Sequence, residues 1–294
     1  MIEIRNVNKS FKTKKVLNHI SLNLNNQTYA LLGPNGSGKT TLLRIITNII
    51  QGEGEIVYKN KDDTIVSLKD IHIGYLPQKF GLFKEMKLIE QMNYFACLKD
   101  IDKDNRANEI QRVLEAVNME NELDKKCGDL SGGMIRRIGI AQAIMGNPDI
   151  ILFDEPTTGL DPEERLRFKS VLSQLHGQCP IILSTHIVED IESVCQSVLV
   201  LKNGEIIFND NLENLKQEAK NKVVEIPLDE CLNMSAKDYY QIRIFEKDNQ
   251  KYTRILLLND IHNIQREYCE ETLEDGYMYL LKGLKWVKIL NLFS

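Results

Sequence analysis

The chain has 294 residues, 43% hydrophobic and 27% charged, a balance that excludes intrinsic disorder and has room for one large domain with an appendage or for two domains. Its formal net charge of -5 provides no bulk attraction for nucleic acid or anionic lipid. Six cysteines (Cys97, Cys127, Cys179, Cys195, Cys231 and Cys269) are scattered without a CxxC pair, which predicts reduced thiols rather than disulfides or zinc ligands, and hence a cytoplasmic setting.

The N-terminal "MIEIRNVNKSF" lacks the apolar centre of a signal peptide, and no run reaches the roughly 20 apolar residues a membrane span needs, so the chain is expected not to cross a bilayer by itself. "IEIRNV" and "TYALL" read as strands separated by a polar turn around Lys12 to Lys15. "TYALL" leads into a glycine-rich loop, after which "TTLLRIITNII" has helical spacing and "QGEGEIVY" a turn and a further strand. From about Phe83 to Cys127, stretches such as "LIEQMNYFACL" and "NEIQRVLEAVNM" have the 3.6-residue period of helices. "DIILFDEP" and "PIILSTH" are continuous apolar runs, as expected of strands buried on both faces of a parallel sheet. "SVLVLKNGEIIFND" predicts a hairpin about Asn203-Gly204. Beyond it, "VVEIPL", "YYQIRIFEK" and "YTRILLLND" read as strands and "NIQREYCEETLEDGYMYLL" as a helix, a small α+β appendage over 215–294.

Gly33 to Thr40 satisfies G-x-x-x-x-G-K-[ST] between a strand and a helix, the context in which that pattern cradles phosphate. In the loop Gly33, Pro34, Asn35, Gly36, Ser37, Gly38, the glycines let backbone N–H groups turn inward at phosphate oxygens, and the helix N-terminus adds its dipole. Lys39 supplies a cation, Thr40 a hydroxyl for Mg²⁺, and Thr41 a second phosphate contact. Asp154 ends a buried strand, where a carboxylate holds Mg²⁺ directly or through water. Strand alternation is expected to turn the next carboxylate, Glu155, away from Asp154, so that one acid serves the metal and the other polarises water. Ser131, Gly132 and Gly133 in "DLSGGM" form a second small-residue loop at a helix start, hence a second phosphate-facing site.

Gly33 to Thr41, Gln78 after "GYLP", "LSGGM", "IILFDEP", "GLDP" and His186 in "STH" occur in the order and spacing of an ATP-binding cassette (ABC) ATPase, which the chain resembles over about residues 1–214. The resemblance implies an α/β fold: a P-loop NTPase with a RecA-like parallel-sheet core, an N-terminal antiparallel β subdomain and a helical signature subdomain at about 83–145. It implies an ATP hydrolase with ATP and Mg²⁺ as cofactors. Glu155 is implied as the base, Gln78 as the γ-phosphate and magnesium sensor, and His186 as the switch beside the attacking water. Ser131 and Gly133 are implied to bind ATP held on an opposing subunit, and Asp161 to couple the two sites, so the ATPase works as a homodimer or heterodimer. Phe11 stands where the family stacks an aromatic, usually tyrosine, on adenine. Met134 departs from the commoner glutamine of the signature loop.

"LPQKFGLFKEMKLIEQMNYFACLKD" and "TLEDGYMYLL" resemble the branch that powers export of drugs, antibiotics, peptides, lipids or glycans through a separate permease chain. Gly276 departs from the apolar residue usual after "LED". That likeness implies a permease partner, a cytoplasmic position on the inner face of the membrane, and no nucleic acid. A soluble ABC ATPase acting on DNA, ribosomes or protein assembly is the alternative; such proteins commonly carry two cassettes, a coiled coil or a basic face, none of which this sequence has. "LKGLKWVKILNLFS" is expected to be a packed terminal element, with a membrane-skimming helix as the other reading.

Overall fold

A computed structural model of the chain describes residues 1–59, 64–67, 70–235, 237–259 and 268–283. The first apolar stretches form β1 (Ile2–Phe11), β2 (Lys14–Leu24) and β3 (Thr28–Leu32). The polar turn is shorter than expected, because Lys14 and Lys15 already pair with Phe11 and Ser10. The glycine loop then opens α1 (Lys39–Ile46), followed by β4 (Glu53–Lys59), β5 (Ile65–Val66) and β6 (Ile73–Leu76). β1, β2, β4 and β5 make a four-stranded antiparallel sheet in the order β2-β1-β4-β5.

The helical stretch consists of α2 (Leu88–Leu98), α3 (Lys103–Ala116) and α4 (Gly132–Ile144). The chain then re-enters the sheet as β7 (Ile150–Asp154), crosses through α5 (Pro162–Leu175), and returns as β8 (Ile181–Thr185). All five residues of β7 and all five of β8 are buried, which accounts for their unbroken apolar sequences. Phe153 of β7 meets Phe168 of α5 edge to face, ring centroids 5.2 Å apart. The hairpin follows as β9 (Ser197–Lys202) and β10 (Glu205–Asn211), turned by Asn203 and Gly204, both at positive φ. The second sheet has the order β10-β9-β3-β8-β7-β6, with β3, β6, β7, β8 and β9 running parallel. Its loops at the carboxyl ends of β3, β6, β7 and β8 carry Gly33, Gln78, Glu155 and His186.

The chain divides into two compact units, Met1–Ile206 and Ile207–Ser294, within β10. The division precedes the expected 214/215 position because α6 (Leu212–Gln217) packs against a helix of the second unit. That unit continues with β11 (Val223–Pro227), α7 (Leu228–Leu232), β12 (Tyr239–Lys247), β13 (Gln250–Leu257) and α8 (Leu273–Gly283). Its antiparallel sheet has the order β11-β13-β12. The expected final helix is shorter than read: Tyr268 bridges to Val224, and Cys269 donates its N–H to Val223, so these residues run extended. Thr272 and Asp275 then form a reciprocal capping box that fixes the helix start. Arg254 binds Asp275 at 2.7 Å and Glu225 at 3.1 Å, a buried ion pair joining α8 to the sheet. Residues 263–267 of the expected helix, and the lysine-rich terminal stretch from 284 onward, lie outside the described residues.

Candidate functional site

The loop after β3 takes its shape from Gly36 and Gly38, at φ 80° and 114°, a region that side-chain-bearing residues enter only with strain. Gly38 is the N-cap of α1. Lys39 is buried and donates from Nζ to the carbonyls of Gly33 at 2.7 Å and Pro34 at 3.4 Å. Burial lowers its pKa, opposed by the charges of Glu155 and Asp154. Pro34, Asn35 and Gly36 are exposed at the rim, and Thr40 and Thr41 are half-buried in the first turn of α1. Ser37 is buried, and its Oγ has no hydrogen-bond partner.

Asp154, at the end of β7, is fully buried, and one of its carboxylate oxygens, Oδ1, accepts from Ser184 Oγ at 2.6 Å. The other, Oδ2, is buried without a partner, an arrangement that costs free energy in the unliganded chain and suits a cation or its bound water. The residues present therefore fit Mg²⁺: a free anionic oxygen, with Thr40 in the first turn of α1 and Gln78 on the loop after β6. Glu155 departs from the expected alternation. Its φ is 51°, left-handed rather than extended, at a cost of about 1–2 kcal/mol. Its N–H is held by Ser184 O at 3.0 Å and Ser184 Oγ at 3.1 Å, which fixes this conformation.

The turned Glu155 carboxylate meets three side chains. Gln78 Nε2 donates to Oε2 at 3.2 Å, Thr158 Oγ1 donates to the same oxygen at 3.4 Å, and His186 Nδ1 lies 3.4 Å from Oε1. Three residues far apart in sequence, Gln78, Glu155 and His186, are thus gathered beside the phosphate loop. Thr157 Oγ1 donates to buried Asp190 Oδ2 at 2.6 Å, tying the loop after Glu155 to the turn after His186.

The other expected residues lie elsewhere on the unit. Ser131 is exposed and caps α4, its Oγ accepting from Met134 N–H at 3.2 Å. Gly132 has open space around it, whereas a Cβ at Gly133 would lie within 2.7 Å of the Glu164 carboxylate. Asp161 is exposed and caps α5 through Glu164 N–H at 2.8 Å. Phe11, at the end of β1, is 49% exposed, with Lys9 Nζ 5.1 Å from its ring centroid. Sequence reasoning missed Ser184, Thr157 and Arg136; small polar residues beside "FDEP" and "STH" were the available signal for the first two.

A phosphate-shaped loop at the carboxyl end of a parallel sheet, with converging acids, defines a nucleotide-binding ATPase of the P-loop class. The model for the ABC transporter family, "ABC_tran", matches residues 17–158. The uncharacterized ABC transporter ATP-binding protein YxlF of Bacillus subtilis is 31% identical over 268 residues, 89% of this chain and 88% of that protein. The lipopolysaccharide export system ATP-binding protein LptB of Haemophilus influenzae is 32% identical, covering 76% of this chain and 96% of LptB. The dimeric structure of MJ0796, a bacterial ABC transporter cassette, matches with TM-score 0.64 and 26% identity, over 72% of this chain and 98% of that one; a second MJ0796 structure is a post-hydrolysis state bound to ADP and Pi. The chain belongs to the ABC transporter family, as an ATP-binding subunit with ATPase activity.

Proposed function

We propose that this subunit drives a separate membrane permease in export, two cassettes closing on ATP and parting after hydrolysis. The observation that carries the reading is the meeting of Gln78, Glu155 and His186 beside a buried, unpartnered Asp154 oxygen. In this reading the unit of residues 1–206 is the ATP-binding domain and the unit of residues 207–294 an accessory domain. Glu155 accepts the proton of the attacking water, His186 orients it, and Gln78 senses the γ-phosphate. Lys39 and the N–H groups of Gly36 to Thr41 stabilise charge on the phosphoryl oxygens. Asp154, Thr40 and Gln78 would hold Mg²⁺, which would supply charge neutralisation for the phosphates. Phe11 stacks on adenine, and Ser131, Gly133 and Asp161 face the opposite cassette.

A permease partner is supported by aromatic surface next to the Gln78 loop. Phe83 is 57% and Tyr94 41% exposed, packed edge to face 5.7 Å apart and continuous with Phe95 and Phe80. Among the described residues no helix is long and apolar enough to cross a membrane. Export is favoured by the likeness to LptB, whose name places it in lipopolysaccharide export.

Glu155→Gln tests the chemistry: turnover is expected to fall at least about 100-fold with ATP binding retained, and a rate within a few-fold of the parent refutes the base assignment. Purification from solubilised membranes tests the partner. Recovery with a polytopic membrane protein supports transport, whereas recovery on ribosomes or salt-sensitive binding to DNA overturns it.

A further inference from the structure

Arg136 lies on α4, the helix capped by Ser131, and its side chain is driven into the protein: the residue is 8% exposed. A guanidinium has five N–H donors in a planar fork. Here the fork makes five contacts, all with backbone carbonyls. Nε donates to Pro156 at 3.0 Å, Nη1 to Pro77 at 3.0 Å and Gln78 at 3.2 Å, and Nη2 to Asp154 at 2.9 Å and to Glu155. These carbonyls belong to the loop after β6 that carries Gln78, and to the end of β7 with the loop after it that carries Glu155.

The rest of α4 is held as tightly against β6. A Cβ at Gly139 would come within 2.6 Å of Leu76, and one at Gly74 would lie 2.1 Å from the Ala143 carbonyl. Gln142 Nε2 adds a hydrogen bond to Tyr75 O at 2.7 Å. The helix and the strand end are therefore closely packed on one another, with Arg136 the link from them to the loop of Glu155.

We infer that Arg136 is a positioning residue for hydrolysis: by bridging the two loops, it sets the 3.2 Å spacing of Gln78 and Glu155 and ties it to the placement of the helix headed by Ser131. The Glu155 backbone needs such support, since it sits in the left-handed region. Lysine cannot replace the fork, because a single ammonium reaches one loop or the other but does not span both. A phosphate contact at Ser131 thereby reaches the water-handling residues of the same subunit through one side chain. This inference rests on the roles given above to Gln78 and Glu155.

The test uses the full chain and compares Arg136→Lys, Gln78→Ala, the double variant and Glu155→Gln for steady-state hydrolysis of Mg-ATP, nucleotide affinity and melting. For Arg136→Lys, kcat is expected to fall at least about tenfold while the nucleotide Kd stays within about threefold. Because Arg136 is inferred to act on the Gln78–Glu155 pair, the loss in the double variant is expected to be smaller than the product of the two single losses. A kcat equal to the parent's, or losses that multiply in the double variant, overturns the inference and leaves Arg136 a structural clamp. Where Arg136→Lys does not melt cooperatively, Arg136→Gln is put through the same comparison with the same criteria. If Glu155→Gln and Gln78→Ala both turn over at the parent's rate, the catalytic reading fails and this inference with it. If those two are impaired while Arg136→Lys is not, this inference alone fails.

Discussion

Ser184 Oγ donates to Asp154 Oδ1 at 2.6 Å and in the same position accepts from the Glu155 N–H at 3.1 Å, so one hydroxyl at the end of β8 orients both acids at the end of β7. Removing it leaves Asp154 free to rotate and Glu155 held by one backbone contact. Ser184→Ala is therefore expected to raise the Mg²⁺ concentration for half-maximal ATPase activity about 10- to 100-fold, the usual penalty for losing a partner that orients a metal ligand. A magnesium titration at fixed ATP checks it, and an unchanged midpoint counts against Asp154 as the ligand.

The Lys99 ammonium donates to Met145 O at 2.9 Å, and burial lowers its pKa from 10.5 to about 8, with Glu109 opposing. The unfolded chain thus holds this proton more tightly than the folded one. Stability from this group rises with pH between about 8 and 10.5, and below pH 8 the full penalty stands. Lys99→Met escapes that penalty, worth up to about 3 kcal/mol less the lost hydrogen bond, about 1 kcal/mol. The variant should melt above the parent at pH 7, with the gap closing as pH approaches 10.5. A gap that stays constant with pH would show that the ammonium is not desolvated.

Gly276 faces Leu215 so closely that a Cβ would lie 1.8 Å from the Leu215 carbonyl oxygen. This explains glycine where the resemblance predicts an apolar residue: α8 lies backbone to backbone on α6. Gly276→Ala must push these helices apart and is expected to destabilise unit 207–294 by about 1–3 kcal/mol or more. Limited proteolysis reports it as faster cleavage beyond residue 207, and an unaltered digestion pattern would mean that the helices yield without cost.

Cys97 is exposed, while Cys127, Cys179, Cys195 and Cys231 are buried. Burial pushes the Cys179 thiol up to about 12 and raises Cys195 further. In the native chain at pH 8 a thiol reagent should label Cys97 first and the four buried cysteines only on denaturation. Rapid labelling of Cys179 would reveal local opening of the connection between α5 and β8.

What could be read in the sequence followed from how locally each signal is encoded. Gly36, Gly38, Lys39 and Thr40 lie in one run of eight positions where a strand passes through a loop into a helix, so the pattern could be read from the local sequence alone. β7 and β8 were legible because burial on both faces leaves an unbroken apolar run. Glu155 was placed correctly beside Asp154 but with the wrong backbone, since its left-handed φ depends on Ser184, a residue from another strand. Arg136 was silent because its acceptors are carbonyls, which every residue has; nothing in the local sequence marks the two loops it joins. The start of α8 was missed although "TLED" has capping-box spacing, because the helical period of the sequence runs through it.

Lys39 Nζ is hydrogen-bonded to the carbonyls of Gly33 and Pro34, both in the loop that precedes its own helix. The side chain is thereby a strut folded back across that loop, with its ammonium held where the loop curves. Under the proposed function a triphosphate would exchange these two carbonyls for its own oxygens, so that binding would demand little rearrangement of the cation.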